Sequence, residues 1–327
     1  MNTKIKRIAV FTSGGDSPGM NAAIRAVTRT AIYHDLHVYG VIGGYEGMIN
    51  GNIQRLEKKD VANIMQRGGT ILKTARSKEF MELEGRKKAY ETLMAHDIDG
   101  CIAIGGNGTY TGALKFGQEF NVPIIGLPGT IDNDIFGTDY TIGFDTAVNT
   151  AIEAVDKIRD TADSHDRLFF IEVMGRHSGY IALHTGIGSG AGSVFLPESE
   201  TNIDLFTQNL QRSARRQKLF NLVIVAEGNK SGDAVTLANR VREIAPEFDT
   251  KVTIIGHLQR GGSPSCFDRV LASRLGYHAV ESLLSGKGGI ALGVINDKIY
   301  QTSFEEAITK SKPLNTDLLK MVEILAL

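Results

Sequence analysis

The sequence predicts an α/β protein whose sheets are mainly parallel and covered by helices on both faces. Three observations carry that expectation. Short apolar runs alternate with helix-length amphipathic segments along the chain, the ends of those runs are rich in glycine, and glycine (37 residues) far outnumbers proline (7). Alternation of this kind builds parallel sheets between helical layers, and glycine suits the tight strand-to-helix turns they need. A chain of 327 residues has room for two domains, each with its own core.

The elements follow in order. Arg7–Thr12 reads as a buried strand, Ser13–Asp16 as a turn, and Ser17-Pro18 as a helix start with serine as N-cap and proline at the first helical position. That helix runs to about His34. Further strands are expected at 38–42, 100–104 and 122–127, the last ending at Pro128-Gly129. Asp145 reads as an N-cap, after which Val148, Ile152, Val155 and Ile158 recur at helical spacing. Strands are then expected at 168–173, 193–196, 222–226, 252–255 and 290–294, with a seam between domains near Thr141.

Composition narrows the function. The net charge is −1, so there is no globally basic surface for nucleic acid, although a local basic pocket for a small anion is compatible with it. The two cysteines, Cys101 and Cys266, are far apart and lack metal or redox spacing. Cys101 lies in an apolar run and reads as a buried structural thiol. The N-terminus lacks the apolar segment of a signal peptide, and no stretch is apolar enough to span a bilayer, which predicts a soluble cytoplasmic protein.

Ligands of open α/β sheets sit at the carboxyl ends of strands, and four groups stand at such positions. Thr12-Ser13-Gly14-Gly15-Asp16-Ser17-Pro18-Gly19-Met20-Asn21 offers glycines and a helix start to an anion, yet matches neither a Walker A loop nor a Rossmann fingerprint. Gly105-Gly106-Asn107-Gly108-Thr109 repeats the pattern. Gly126-Leu127-Pro128-Gly129-Thr130-Ile131-Asp132-Asn133-Asp134 sets two carboxylates two residues apart at a strand end, suited to a general base and a metal helper; alone, such a pair is more often a solvated turn. Arg76, Arg167, Arg176 and Arg260 lie beside glycines or at strand ends, and guanidinium is shaped for bidentate phosphate contacts. Most arginines merely form surface salt bridges; Arg176 and Arg260 fit that reading least. His257 is expected to bond a sugar hydroxyl or the protein, and His177 and His184, seven apart on an expected helix, to be structural.

Taken together these segments resemble the bacterial ATP-dependent 6-phosphofructokinases, over nearly the whole chain. The likeness rests on 12–25, 67–70, 74–76, 128–134, 137–143, 172–176 and 256–264. It implies two Rossmann-like three-layer α/β domains, a nucleotide-binding one over 1–141 plus 256–305 and a sugar-phosphate-binding one over 142–255 plus 306–327. It implies transfer of the γ-phosphoryl group of ATP to the 1-hydroxyl of fructose 6-phosphate, with Mg²⁺ as cofactor. Asp132 falls on the general base, Thr130 on a residue that positions the sugar, and Gly15 on a backbone N–H near the transferring group. Arg76 and Arg176 fall on residues that offset phosphate charge. Ser77, Gly106, Asn107, Gly108 and Thr109 complete the ATP set. Ile131, Arg167, Met174, Gly175, Glu227, Lys251, His257 and Arg260 complete the sugar-phosphate set. Asp134, with Asn107, would serve the metal. Arg167 matches an arginine that acts from a neighbouring subunit, which implies a homo-oligomer, usually a tetramer.

The sequence also departs from the family. Pyrophosphate-using relatives carry Asp at the place of Gly108 and Lys at that of Gly129, so glycine at both resembles the ATP type. Asn107 replaces an aspartate that handles Mg²⁺, Lys251 an arginine, and Ser77 an aromatic residue. The basic effector site keeps Arg25, Arg29, Lys58, Arg159, Arg216 and Lys218. However, Asn63, Gly192 and Phe220 replace an aspartate, a glutamate and a histidine there, which predicts little ADP–Mg regulation. The resemblance leaves two other readings: a weakly active or inactive paralogue that binds sugar phosphate and modulates a partner, and a pyrophosphate-dependent enzyme.

Overall fold

The computed structural model describes residues 5–165, 167–215 and 222–325. In chain order the elements are β1 (Arg7–Thr12), α1 (Met20–Tyr33), β2 (His37–Val41), α2 (Gly44–Ile49), β3 (Ile53–Leu56), α3 (Leu83–Ala95), β4 (Gly100–Gly105), α4 (Asn107–Phe120) and β5 (Ile124–Pro128). Then come α5 (Phe144–His165), β6 (Leu168–Val173), α6 (Tyr180–Ser189), β7 (Ser193–Phe195), α7 (Ile203–Arg215), β8 (Leu222–Ala226), α8 (Ala234–Ile244) and β9 (Thr250–Ile254). The chain closes with α9 (Cys266–Leu284), β10 (Ile290–Ile295), β11 (Lys298–Ser303), α10 (Phe304–Thr309) and α11 (Thr316–Leu325).

The chain divides into two compact units. The first comprises residues 1–131, 135–146 and 260–312; the second, 132–134, 147–259 and 313–327. The expected seam at Thr141 lies slightly before the crossing at 146–147, because Gly143 and Thr146 are tied by hydrogen bonds to Asp268 of the first unit.

The first unit holds a seven-stranded sheet in the order β11-β10-β5-β4-β1-β2-β3. Its five inner strands pair in parallel, while β3 and β11 are antiparallel edge strands. Successive side chains point to opposite faces, so β1 sends Ile8 and Val10 into one core and Ala9 and Phe11 into the other. The first core is closed by α1 and α9 and the second by α3, α4 and α10. Cys101 lies in the second core, and burial pushes its thiol up to about 12; it is the structural thiol the sequence predicts.

The second unit holds a four-stranded parallel sheet in the order β7-β8-β6-β9. Phe170, Val223 and Val225 pack against Leu210 of α7 and Leu237 and Val241 of α8.

Three local expectations are corrected. Helix α1 begins at Met20 after a left-handed Gly19, and Ser17 Oγ is buried with no hydrogen-bond partner among the described residues. Ser17 is therefore not the N-cap; the glycine carries the chain through a turn before the helix starts. Helix α5 begins at Phe144, which puts Asp145 inside the first turn, where its carboxylate accepts from Ser265 Oγ. His177 lies in the turn before α6, so it does not share a helix with His184.

Candidate active site

Within the first unit, the turns that follow β1, β4 and β5 are neighbours because those strands are adjacent in the sheet. They are laced together. Ser13 N–H donates to the Ile104 carbonyl at 3.0 Å, Thr109 Oγ1 donates to the Ser13 carbonyl at 3.0 Å, and Gly129 N–H donates to the Gly105 carbonyl at 3.0 Å. Thr130 stands beside Gly106: a Cβ on that glycine would lie 3.6 Å from the threonine's own. The strand ends thus form one ledge of backbone and small side chains, with the N-terminus of α4 opening on it at Asn107. Free N–H groups at such a helix start favour an anion.

Two glycines of this ledge differ in kind. A Cβ on Gly129 would crowd Ile104 Cγ2 at 2.9 Å, Met20 Cε at 3.0 Å and Gly105 N at 3.2 Å, so packing alone accounts for it. Gly108 is exposed, and a Cβ there would meet nothing within 4 Å. Nothing in the packing of the fold requires glycine at 108.

Arg260 reaches the first turn. Its Nη1 donates to the Asp16 carbonyl at 3.2 Å and lies 2.8 Å from where a Cβ on Gly15 would stand. Arg76 is exposed in the irregular segment 73–77. That segment is anchored upstream: Thr12 Oγ1 donates to the Lys73 carbonyl, and Asn21 donates to the carbonyls of Arg67 and Gly68 while accepting from Ile71 N–H. Ser77 Oγ accepts from Phe80 N–H, so it starts a helical turn. Tyr45 Oη donates to the Thr109 carbonyl at 2.6 Å, and its ring stacks on Phe80. Ile131 is fully buried, which leaves only its backbone for a substrate.

The second unit holds the remaining candidates. Asp132 is buried at 6% exposure, and its carbonyl accepts from Ser178 Oγ; Asp134 is half-buried. Arg176 adopts a left-handed backbone with φ 52°, uncommon for a non-glycine residue and the kind of strain that gathers at functional positions. It is held there by its N–H donating to Glu227 Oε1 at 2.8 Å. Gly228 packs so closely on the Arg176 carbonyl that a Cβ would come within 1.7 Å. Met174 N–H donates to Gln259 Oε1, and the fully buried Gln259 donates in turn to the Ala147 carbonyl.

Arg167 and Lys251 converge on one carboxylate. Arg167 Nε donates to Asp249 Oδ2 at 3.0 Å and Lys251 Nζ to Oδ1 at 2.6 Å. The Lys251 hydrogen bond first, with that of Arg167, holds the Asp249 carboxyl below its ordinary range against an opposing effect of burial. His257 is exposed.

Of the effector candidates, Arg25 and Arg29 lie one turn apart on α1, with Lys58 just after β3 and Asn63 at φ 54°, all in the first unit. Arg159, bonded to the Ser189 carbonyl, and Gly192, bonded to that of Leu222, lie in the second. Arg216, Lys218 and Phe220 fall outside the described residues. Sequence reasoning missed Tyr45, Asp249 and Asp268, and gave Asn21 and Gln259, which lie inside its motifs, no role of their own.

The fold and the glycine turns at adjacent strand ends define an α/β protein built to hold phosphate groups. The phosphofructokinase family model matches residues 7–283, and the chain belongs to the phosphofructokinase family. It is 53% identical over 319 residues to the ATP-dependent 6-phosphofructokinase of Cytophaga hutchinsonii, covering 98% of this chain and 97% of that one. It is likewise 53% identical over 323 residues to ATP-dependent 6-phosphofructokinase 1 of Thermus thermophilus, covering 99% of this chain and all of that one. Among solved structures, the phosphofructokinase of Saccharomyces cerevisiae superposes with a TM-score of 0.89 at 38% identity over 98% of this chain; the chain spans 48% of that longer one. A pyrophosphate-dependent phosphofructokinase from Marinobacter aquaeolei superposes with a TM-score of 0.85 at 25% identity, over 98% of this chain and 92% of that one.

Proposed function

We infer that the chain is an ATP-dependent 6-phosphofructokinase, a phosphotransferase that makes fructose 1,6-bisphosphate and ADP in glycolysis. The observation that carries this reading is the near-full-length likeness, at 50–53% identity, to several proteins named for that activity. The open position at Gly108 supports ATP over pyrophosphate as donor.

In this reading the phosphates of ATP lie on the ledge formed by Gly15, Gly106, Asn107, Gly108 and Thr109, with Arg76 and Ser77 beside them. Asp132 accepts the proton of the sugar's 1-hydroxyl as that oxygen attacks the γ-phosphorus in line. The new O–P bond forms as the bond to the β-phosphate oxygen breaks, and ADP leaves. Charge on the transferring group is offset by Arg76 and Arg176 and by the Gly15 N–H. The strained backbone of Arg176 supports a positioned guanidinium. Thr130, Ile131, Met174, Gly175, Glu227, His257 and Arg260 hold the sugar, and Arg167 and Lys251 its 6-phosphate.

Mg²⁺ fits as an ion carried in on the nucleotide. Asn107 and Asp134 offer hard oxygen donors, and Mg²⁺ takes most of its ligands from phosphates and water. No group of three or more His, Cys, Asp or Glu side chains among the described residues would hold it unaided. When bound, it neutralises charge on the β- and γ-phosphates. The amide at Asn107 favours one second reading, a weakly active paralogue that binds sugar phosphate and modulates a partner.

We further propose a cytoplasmic homotetramer in which Arg167 serves a neighbouring subunit, with ADP activation weak or absent. No helix among the described residues is long and apolar enough to cross a membrane. The test of the chemistry is Asp132→Ser: kcat is expected to fall about 10²-fold or more with fructose 6-phosphate binding retained. A smaller loss with normal binding removes Asp132 as the base.

A further inference from the structure

Asp268 is fully buried in the first turn of α9, and no step of the proposed chemistry uses it. Its carboxylate is filled by donors from the start of another helix. Gly143 N–H donates to Oδ1 at 2.8 Å, Thr146 N–H to Oδ2 at 2.8 Å, and Thr146 Oγ1 to Oδ2 at 2.5 Å. Asp268 therefore caps α5 from outside it, meeting N–H groups that a helix start otherwise leaves unsatisfied.

The clasp is reciprocal. Ser265, the N-cap of α9, accepts from Asp268 N–H, donates its hydroxyl to Asp145, and donates its N–H to Thr146 Oγ1 at 2.9 Å. A third helix start lies against the same point. A Cβ on Gly19, the N-cap of α1, would stand 3.5 Å from Asp268 Cβ, and one on Gly143 would stand 2.6 Å from Ser17 Cβ. Carboxylates are favoured at the positive ends of helices, and here α1, α5 and α9 all begin around one.

Two of the segments so gathered carry candidate site residues. The start of α1 ends the turn that contains Gly15, and α9 starts six residues after Arg260, whose guanidinium bonds back to Asp16. We propose that Asp268 is a positioning residue for phosphoryl transfer, fixing the Gly15 turn and Arg260 at the distance the reaction needs. Asparagine is nearly isosteric but offers a single acceptor oxygen. Asp268→Asn therefore leaves one buried donor unmet and loosens the clasp while the surrounding packing stays filled.

The kinetic arm rests on the function proposed above; a second arm does not. In Asp268→Asn, kcat with ATP and fructose 6-phosphate is expected to fall 10- to 100-fold while KM for ATP stays within threefold, since the turn meets the transferring group. Thr146→Val is expected to lose three- to tenfold in kcat, and Thr146→Ser, which keeps the hydroxyl, to restore it. By hydrogen exchange, amides of 13–19 and 260–265 are expected to exchange at least tenfold faster in Asp268→Asn, with β6 and β8 unchanged. A folded variant with kcat within twofold of the parent and unchanged exchange overturns the proposal. So does exchange that rises equally throughout the first unit, which marks a general structural role. If the parent protein transfers no phosphoryl group, the function reading falls and the exchange arm alone decides.

Discussion

Gly108→Asp separates a glycine kept for a ligand from one kept for the fold. Gly108 is the second residue of α4, exposed, with nothing within 4 Å of an added Cβ. Removing a helical glycine gains roughly 0.5 kcal/mol, and an acid in a first helical turn gains about 0.3–1 kcal/mol. The variant is thus expected to be at least as stable as the parent, by about 1 kcal/mol. Catalysis runs the other way. A carboxylate about 4–5 Å from a nucleotide phosphate, at an effective dielectric near 20, is repelled by about 3–4 kcal/mol, which solvent screening reduces to about 2–3. That predicts a loss of about 10²-fold in kcat/KM for ATP, read in a coupled assay alongside a thermal melt. Gly129→Ala is the contrasting control: its crowded Cβ is expected to cost about 1–3 kcal/mol of stability without changing donor preference. ATP kinetics within threefold of the parent in Gly108→Asp would show that no nucleotide phosphate lies beside this position.

Other outcomes follow from the same geometry. Asn107→Asp is expected to raise kcat about 5- to 150-fold, the equivalent of about 1–3 kcal/mol in barrier, and to lower the Mg²⁺ needed for half-maximal rate; an unchanged Mg²⁺ titration removes the metal role of this position. Asp249→Asn releases Arg167 and Lys251 from their shared carboxylate and is expected to lower KM for fructose 6-phosphate about threefold, exposed ion pairs being weak competitors; a raised KM contradicts it. Burial pushes the Asp268 carboxyl up to about 6 despite three hydrogen bonds that oppose it. A folded pKa raised above the unfolded one contributes stability that is full below about pH 4 and is lost as pH rises through about 6. From pH 8 to pH 5 the parent should therefore gain on Asp268→Asn by about 1.4 kcal/mol, the one pKa unit between 6 and 5 at about 1.36 kcal/mol, measured as the change in their Tm difference; a difference constant with pH contradicts this.

The inner strands were legible because they are short apolar runs, several of them followed within two residues by glycine, as in β1, β6 and β8. The edge strands β3 and β11 were not. They are half-exposed, with burial that marks no continuous run, and antiparallel pairing leaves no glycine turn to announce them. Ser17-Pro18 misled because the pair carries the local chemistry of a helix start, while the left-handed Gly19 delays the helix. The glycine turns of the site were readable as motifs. Asp268 and Gln259 were not, since their partners lie 85–125 residues away in sequence, and nothing beside them signals a buried polar bond. Asp249 was hidden for a different reason: a lone exposed acid is ordinary until the sheet register sets β9 beside β6 and brings Arg167 to it.

The donor preference of the unmodified protein decides whether ATP is its substrate. With fructose 6-phosphate and Mg²⁺ in a coupled assay, turnover with ATP is expected to be at least about 10²-fold faster than with pyrophosphate, the same scale as the Gly108 effect. Faster turnover with pyrophosphate would contradict it, and so would binding of fructose 6-phosphate without turnover from either donor.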